Sequence, residues 1–177
     1  MFVIQKTTNM RVIKTFLSFA VVFLAATTVS YAQPSHPNSP HDTIRTANIT
    51  ITYGRPYKKG RAIFGSLIPY GKTYRCGADE PTILTFAKDV QLAGHAVKAG
   101  KYSLFAVPNA NTWTIILNSN TTMWGTEHDK HADQDVLKFD VPVMPLSTPT
   151  EQLTMTASNK SITLAWDVVK VSIPVQF

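Results

Sequence analysis

Apolar and polar side chains alternate in short runs along most of this chain. The alternation is clearest at residues 49–53, 113–118, 152–157, 162–167 and 169–175. Successive side chains of a β-strand point to opposite faces of a sheet, so each run predicts a strand with one buried and one wetted face. No amphipathic helix of ordinary length is visible after residue 32.

Turn-forming residues lie between these runs. They include Ala93-Gly94-His95, Lys98-Ala99-Gly100, Asn109-Ala110-Asn111 and Ser158-Asn159-Lys160. Short strands that follow one another at intervals of roughly 8–12 residues are typical of sandwiches and barrels. The pattern therefore predicts an all-β fold: one antiparallel β-sandwich domain over residues 45–177, jelly-roll-like or similar, with one long ordered loop.

The first 32 residues have the features of an export signal. Arg11 and Lys14 precede an apolar run over residues 16–29, and small residues stand at the −3 and −1 positions before Gln33. This arrangement is typical of a cleaved secretory signal peptide. We therefore expect a periplasmic or secreted protein.

An uncleaved signal anchor is the alternative interpretation of this apolar run. The run has about 14 residues, whereas a membrane-spanning helix needs about 20. We therefore expect no stable membrane span once the signal is removed. Residues 33–44 contain three prolines and no aromatic residue, which predicts a flexible tether before the domain.

Half of the net positive charge of the chain lies in the predicted signal peptide. The net charge is +6, and removal of Lys6, Arg11 and Lys14 with the signal halves it. Nucleic-acid binding needs a basic stripe on a folded surface, and export also argues against it. We expect no nucleic-acid partner.

One non-periodic segment, residues 54–80, is strongly basic. Its cations are Arg55, Lys58, Lys59, Arg61, Lys72 and Arg75, and no acidic residue precedes Asp79. Guanidinium groups match carboxylates and phosphates with two parallel hydrogen bonds, so the segment could recognise an anion. The alternative is a flap whose apolar residues close one end of the sandwich while its cations stay in solvent.

A second polar segment, residues 124–135, combines Trp124 with two histidines and several acids. His128, His131 and a carboxylate could hold a divalent metal, but the spacing fits neither a calcium loop nor an ordinary zinc site. The other interpretation is a hydrophilic connection with Trp124 packed on the core. We predict no metal and no cofactor.

Cys76 is the only cysteine, so an internal disulfide is impossible. A lone cysteine is most often buried and inert. The neighbouring Arg75 could instead favour a reactive thiolate, although nothing in the sequence places a histidine base beside it. No Gly-x-Ser-x-Gly nucleophile motif occurs.

Several motifs together resemble one protein family. They are Thr52-Tyr53-Gly54-Arg55-Pro56, Lys59-Gly60-Arg61-Ala62-Ile63-Phe64-Gly65, Leu67-Ile68-Pro69-Tyr70-Gly71-Lys72, Arg75-Cys76-Gly77-Ala78-Asp79-Glu80, Ala99-Gly100-Lys101-Tyr102-Ser103-Leu104-Phe105 and Trp124-Gly125-Thr126-Glu127. The chain is similar here, from Ile44 to Phe177, to the small secreted bacterial proteins of domain of unknown function 2911. The resemblance implies export and a single domain, and it brings no known substrate, cofactor or catalytic residue.

Two functions follow from these observations. The first is a non-catalytic module that binds a small anionic molecule, glycan or envelope partner in a cleft where both polar segments meet. The predicted ligand-binding residues are Arg55, Arg61, Arg75, Glu80, Trp124 and His128. The alternative is a hydrolase or isomerase that uses Glu80, His128 or a bound metal in the same cleft.

The signal peptide gives the first testable prediction. The mature protein should begin at Gln33, because the small-residue cleavage motif ends at Ala32. Intact-mass spectrometry of the exported protein should give the mass of residues 33–177. A mature fraction that still carries Met1 or Met10 would contradict the prediction.

Overall fold

The computed structural model describes Phe2 and residues 39–177; the predicted signal peptide, apart from Phe2, and residues 33–38 of the tether lie outside the described residues. Nine strands are present: β1 (His41–Arg45), β2 (Ile49–Gly54), β3 (Thr82–Phe86), β4 (Val90–Leu92), β5 (His95–Val97), β6 (Gly100–Pro108), β7 (Thr112–Asn118), β8 (Asp135–Ala157) and β9 (Ser161–Gln176). Two 3₁₀ turns, His128–Lys130 and Ala132–Gln134, lie between β7 and β8. Residues 39–177 contain no α-helix.

Every pair of neighbouring strands is antiparallel, which confirms the predicted all-β antiparallel class. Hydrogen bonding is continuous through one sheet in the order β1-β2-β3-β6-β7-β8-β9-β4-β5. The longest strand, β8, changes partner along its length. Its first part pairs with β7 as far as Pro142, and from Val143 onwards it pairs with β9.

This sheet folds over so that its distant strands share one core. Three strands separate β2 from β8 in the hydrogen-bonding order, yet the backbone N–H of Met155 in β8 donates to the hydroxyl of Tyr53 in β2 at 3.0 Å. Strands β2 to β9 contribute buried side chains to one apolar cluster, which includes Trp113 and Trp166, and Ile44 of β1 packs against it. A core enclosed between two parts of the sheet is consistent with the predicted sandwich.

The start of the domain differs from the predicted boundary at Arg45. Residues 41–44, assigned above to the flexible tether, belong to β1 and pair with β2 from His41↔Gly54 to Arg45↔Thr50. β1 is an edge strand and none of its side chains is fully buried. Its sequence therefore carries little apolar alternation, which is the signal on which the prediction depended.

The long loop between β2 and β3, residues 55–81, is an ordered part of the core wall. Its first part pairs with β8: Leu153 N–H donates to the carbonyl of Pro56 at 3.0 Å, and Lys58 N–H donates to that of Glu151 at 2.6 Å. Further along, Ile63 is buried. The ring of Phe64 meets that of Trp113 edge-on at 4.8 Å between centroids. The loop thus covers apolar side chains of the sheet.

Asp167 in β9 fastens this loop to the sheet. One carboxylate oxygen lies 3.0 Å from Lys58 Nζ, and the other accepts from Ile63 N–H at 3.4 Å. The burial alternation of β9 changes phase here, since Trp166 and Asp167 are consecutive buried residues. Asp167 has φ +54°, a left-handed conformation that Asp and Asn tolerate better than most residues.

Asp167→Asn should destabilise the fold while preserving the left-handed backbone, because Lys58 would keep a largely buried charge without its partner. Breaking a buried ion pair costs about 3–5 kcal/mol, and the side chains of Lys58 and Asp167 retain 19% and 12% exposure. We therefore expect a loss of about 2 kcal/mol in the free energy of unfolding, measured by urea denaturation.

Two further variants test the cause of that loss. Asp89→Asn, which breaks the exposed Asp89–Lys98 pair, should leave the unfolding midpoint nearly unchanged. Adding Lys58→Met to Asp167→Asn should restore part of the lost stability, because it removes the unpaired charge. Equal midpoints for Asp167→Asn and the wild type would show that this pair does not hold the loop.

Candidate functional site

A cleft of about 640 Å³ lies between the long loop and the segment that follows β7. Tyr57 and Arg61 lie on one stretch of the loop, Leu67 and Arg75 lie further along it, and Gly125 belongs to the second segment. Small-molecule sites usually have volumes of about 300–1,000 Å³. The two polar segments singled out in the sequence therefore border one cleft of suitable size for a small ligand.

Positive charge predominates in the lining of the cleft. Four cations line it: Lys59, Arg61, Lys72 and Arg75. Among the described residues, Asp79 is the one acidic residue that lines it. Within residues 39–177, none of these four cations forms an ion pair with a carboxylate; the Lys and Arg ion pairs present there involve other residues. The positive charge of the four lining residues is therefore available to a bound anion.

Arg75 packs closely in this wall and forms no ion pair with a carboxylate within residues 39–177. Its Nε is buried and has no hydrogen-bond acceptor in the described part of the chain. Leaving a buried donor unpaired costs about 1–3 kcal/mol. Gly125 packs directly against this side chain: a Cβ at position 125 would lie 2.4 Å from Arg75 Cδ and 2.5 Å from the carbonyl oxygen of Asp79, so only glycine fits there. This contact restrains the aliphatic part of Arg75 in the cleft wall.

Arg61 is oriented by the backbone of its own loop. Its Nε donates to the carbonyl of Lys58 at 2.9 Å, and its Nη2 donates to that of Tyr57 at 2.7 Å. These bonds fix the guanidinium without neutralising its charge, because carbonyl groups carry no formal charge. Arg61 therefore adds a positioned cation to the cleft.

Exposed apolar side chains accompany these cations. Tyr57 and Leu67 line the cleft with 38% and 45% of their surface exposed. Tyr70 and Trp124 are also exposed, and each is one residue away in sequence from a lining residue, Pro69 and Gly125 respectively. Clustered exposed apolar groups are typical of interaction sites.

Two of the six predicted binding residues, Arg61 and Arg75, line the cleft; the other four are not among its lining residues. Arg55 is used within the fold. Its Nε donates to the carbonyl of Leu153 at 3.1 Å, and its Nη1 lies 3.3 Å from an Asp42 carboxylate oxygen. Glu80 Oε2 lies 3.1 Å from His41 Nε2.

His128 belongs to a buried polar cluster. Its Nε2 lies 2.9 Å from Asp135 Oδ1, and its ring is 4.7 Å from that of Phe105. Burial alone would raise the pKa of Asp135, but hydrogen bonds from Lys138, Asn118 and His128 outweigh burial and hold that pKa below its usual range. His128 thus helps to connect the 3₁₀ turns to the start of β8.

The second histidine of this segment does not join His128 in a metal site. His131 Nδ1 lies 3.4 Å from Gln134 Nε2. No group of three or more His, Cys, Asp or Glu side chains in residues 39–177 is arranged to hold a metal ion. The geometry therefore gives no support to the metal interpretation of residues 124–135.

A second groove, of about 380 Å³, lies beside β4, β5 and the end of β9. Two charged residues that line it, Asp89 and Lys98, pair with each other at 2.8 Å. This pairing lowers the pKa of Asp89 and raises that of Lys98. The groove lacks the excess of unpaired cations found in the first cleft, which is therefore the better candidate site.

Several residues that line the cleft were not predicted as site residues from the sequence. Lys59 and Lys72 were part of the basic segment, but counting charges could not separate them from Lys58, which pairs with Asp167. Gly125 was a motif residue whose role depends on contact with Arg75.

The described residues form an all-antiparallel β-protein with a basic, partly apolar cleft bordered by the loop between β2 and β3. The chain belongs to the family described as protein of unknown function DUF2911, whose model matches residues 35–175. Comparison with curated proteins and with solved structures found no match. Among the described residues, no helix has the length and apolar character needed to cross a membrane.

Cys76 should react slowly with thiol reagents in the folded protein. It is a buried free thiol, its Sγ donates to the carbonyl of Tyr74 at 3.7 Å, and burial raises its pKa. Both burial and the shortage of thiolate slow the reaction. Labelling at neutral pH should be slow in buffer and fast in denaturant, where the same thiol is exposed. Equal rates in both would contradict this prediction.

Proposed function

We propose that this protein is exported and binds a small anionic molecule or glycan in the cleft, without covalent chemistry. The observation that carries the proposal is Arg75, which lines the cleft beside three other cations and forms no ion pair with a carboxylate within residues 39–177. An anion in the cleft would pair with this guanidinium and offset the positive charge around it.

Comparison within the long loop supports this proposal. Arg55 and Lys58 belong to the same basic segment, and each pairs with a carboxylate, Asp42 and Asp167 respectively. These two cations therefore hold the fold together. Within the described part of the chain, Arg61 and Arg75 pair with no carboxylate, and both line the cleft. This division indicates that part of the positive charge serves a ligand and not the fold.

The export part of the proposal rests on the sequence of the first 32 residues. Residues 1–32 have the charged start, apolar run and small-residue ending of a signal peptide. We therefore propose that the cleft meets its ligand in the periplasm or outside the cell.

The enzymatic alternative receives less support from the geometry. A hydrolase or isomerase based on Glu80 and His128 would need both side chains at the reacting atoms. Glu80 instead contacts His41, whereas His128 is buried beside Asp135. Neither Glu80 nor His128 lines the cleft, so binding is the function that we propose.

Arg75→Gln should weaken anion binding without unfolding the protein. We would measure dissociation constants by ligand-observed NMR for phosphate, glucuronate and phenylacetate. At least one should bind the wild type, and the substitution should weaken it about ten-fold or more, since a hydrogen bond to a charged group contributes about 1.5–3 kcal/mol. The unfolding midpoint without ligand should change little, because Arg75 forms no ion pair with a carboxylate within residues 39–177.

Arg45→Gln is the matched control, since Arg45 is an exposed arginine in β1 that does not line the cleft. Affinities for all three probes should be unchanged by it. Equal losses in both variants would mean that the probes respond to net charge alone. That result, or no binding of any probe to the wild type, would overturn the proposed site.

A further inference from the structure

We infer that the ligand is an organic acid with an apolar ring, whose carboxylate binds at Arg75 while the ring lies against Tyr57 and Leu67. This inference rests on the proposed function, because it names the class of anion that the same cleft accepts. It goes further by assigning separate roles to the charged and apolar parts of the lining.

We assign the carboxylate of the ligand to Arg75 because of the geometry of its guanidinium and its close packing against Gly125. A planar guanidinium presents parallel N–H donors that match the two oxygens of a carboxylate. Gly125 is in such close contact with Arg75 that any added Cβ would overlap its Cδ. The guanidinium is thus pre-organised, which lowers the entropy lost when an acid binds.

An apolar ring is assigned from the exposed apolar side chains of the same cleft. Tyr57 and Leu67 line it, and 38% and 45% of the surface of these residues is exposed; Ile68 and Pro69 add further apolar lining. An apolar body laid against them would remove hydrocarbon surface from water, at about 25 cal/mol for each Å². A small inorganic anion would leave this apolar surface in contact with water.

The polar lining also distinguishes a ring-bearing acid from a sugar acid. A sugar ring carries several hydroxyl groups that need both donors and acceptors when they are buried. Among the described residues that line the cleft, the side chains able to accept a hydrogen bond are Asp79, the hydroxyls of Ser39, Thr73 and Thr126, and those of two tyrosines. The remaining polar side chains of the lining are cationic, which favours a ligand whose main polar group is an acid.

Comparison of acetate with phenylacetate tests the ring directly, because the two acids differ by one aromatic ring. Dissociation constants would be measured by ligand-observed NMR with the wild-type mature protein, with glucuronate and phosphate as polar competitors. Phenylacetate should bind about ten-fold or more tightly than acetate, as expected for burial of a ring-sized apolar group. It should also bind more tightly than glucuronate and phosphate.

Shortening the apolar wall should remove that difference. In Tyr57→Ala/Leu67→Ala, phenylacetate should fall to about the affinity of acetate, whereas acetate binding should be unchanged. Leu67→Ala alone should give a smaller loss, and it keeps the experiment informative if the double variant does not fold. Val168→Ala, which shortens a side chain of similar exposure (46%) in β9 outside the cleft lining, should leave both affinities unchanged.

The outcomes separate this inference from the proposed function. If phosphate or glucuronate binds most tightly and loses affinity in Arg75→Gln, anion binding stands and the ring-bearing acid is wrong. If acetate and phenylacetate bind equally tightly and both lose affinity in Arg75→Gln, anion binding likewise stands and the ring-bearing acid is wrong. If no acid binds in a manner that depends on Arg75, both proposals are overturned. Loss of phenylacetate binding in the Leu67 variants and in Arg75→Gln supports both.

Discussion

The structure of the cleft depends on the carboxylate of Asp167. It receives the ammonium of Lys58 and the backbone N–H of Ile63, so one side chain on the sheet holds two points of a long loop. Such a loop would lose much conformational entropy on ordering, and a largely buried ion pair contributes only when its geometry and additional hydrogen bonds compensate desolvation. Asp167 has both contacts because β9 bends there into a left-handed conformation. The two contacts of Asp167 therefore hold this stretch of the loop against the sheet.

The same loop separates cations that stabilise the fold from cations that are left for a ligand. Lys58 has its carboxylate in Asp167, whereas Arg75 has none and keeps a buried Nε without an acceptor. An unsatisfied buried donor lowers stability, and Gly125 packs directly against the same side chain. An anion in the cleft would give the guanidinium the charged partner that the described part of the chain does not supply. This missing partner is the physical basis of the proposed function.

Sequence patterns predicted the site in part. The basic segment and the Trp124 segment were both recognised, and Arg61 and Arg75 do line the cleft between them. Arg55 had equal weight in the sequence, but it is bound to Asp42 and to a carbonyl of β8. His128 looked like a site histidine because its partner, Asp135, cannot be recognised from spacing. A list of charges carries no information on which carboxylate reaches which cation.

The sequence by itself determined the all-β class, because alternation of apolar and polar residues is compatible with strands and not with helices. It also determined that residues 54–80 interrupt that pattern and carry an excess of cations. Only the tertiary structure decided which cations remain without a carboxylate partner. Lys58 and Asp167 are 109 residues apart in sequence. They meet because the sheet folds over and because the burial pattern of β9 changes phase at Asp167. Strand formation follows a local pattern, whereas charge pairing depends on contacts between distant parts of the chain.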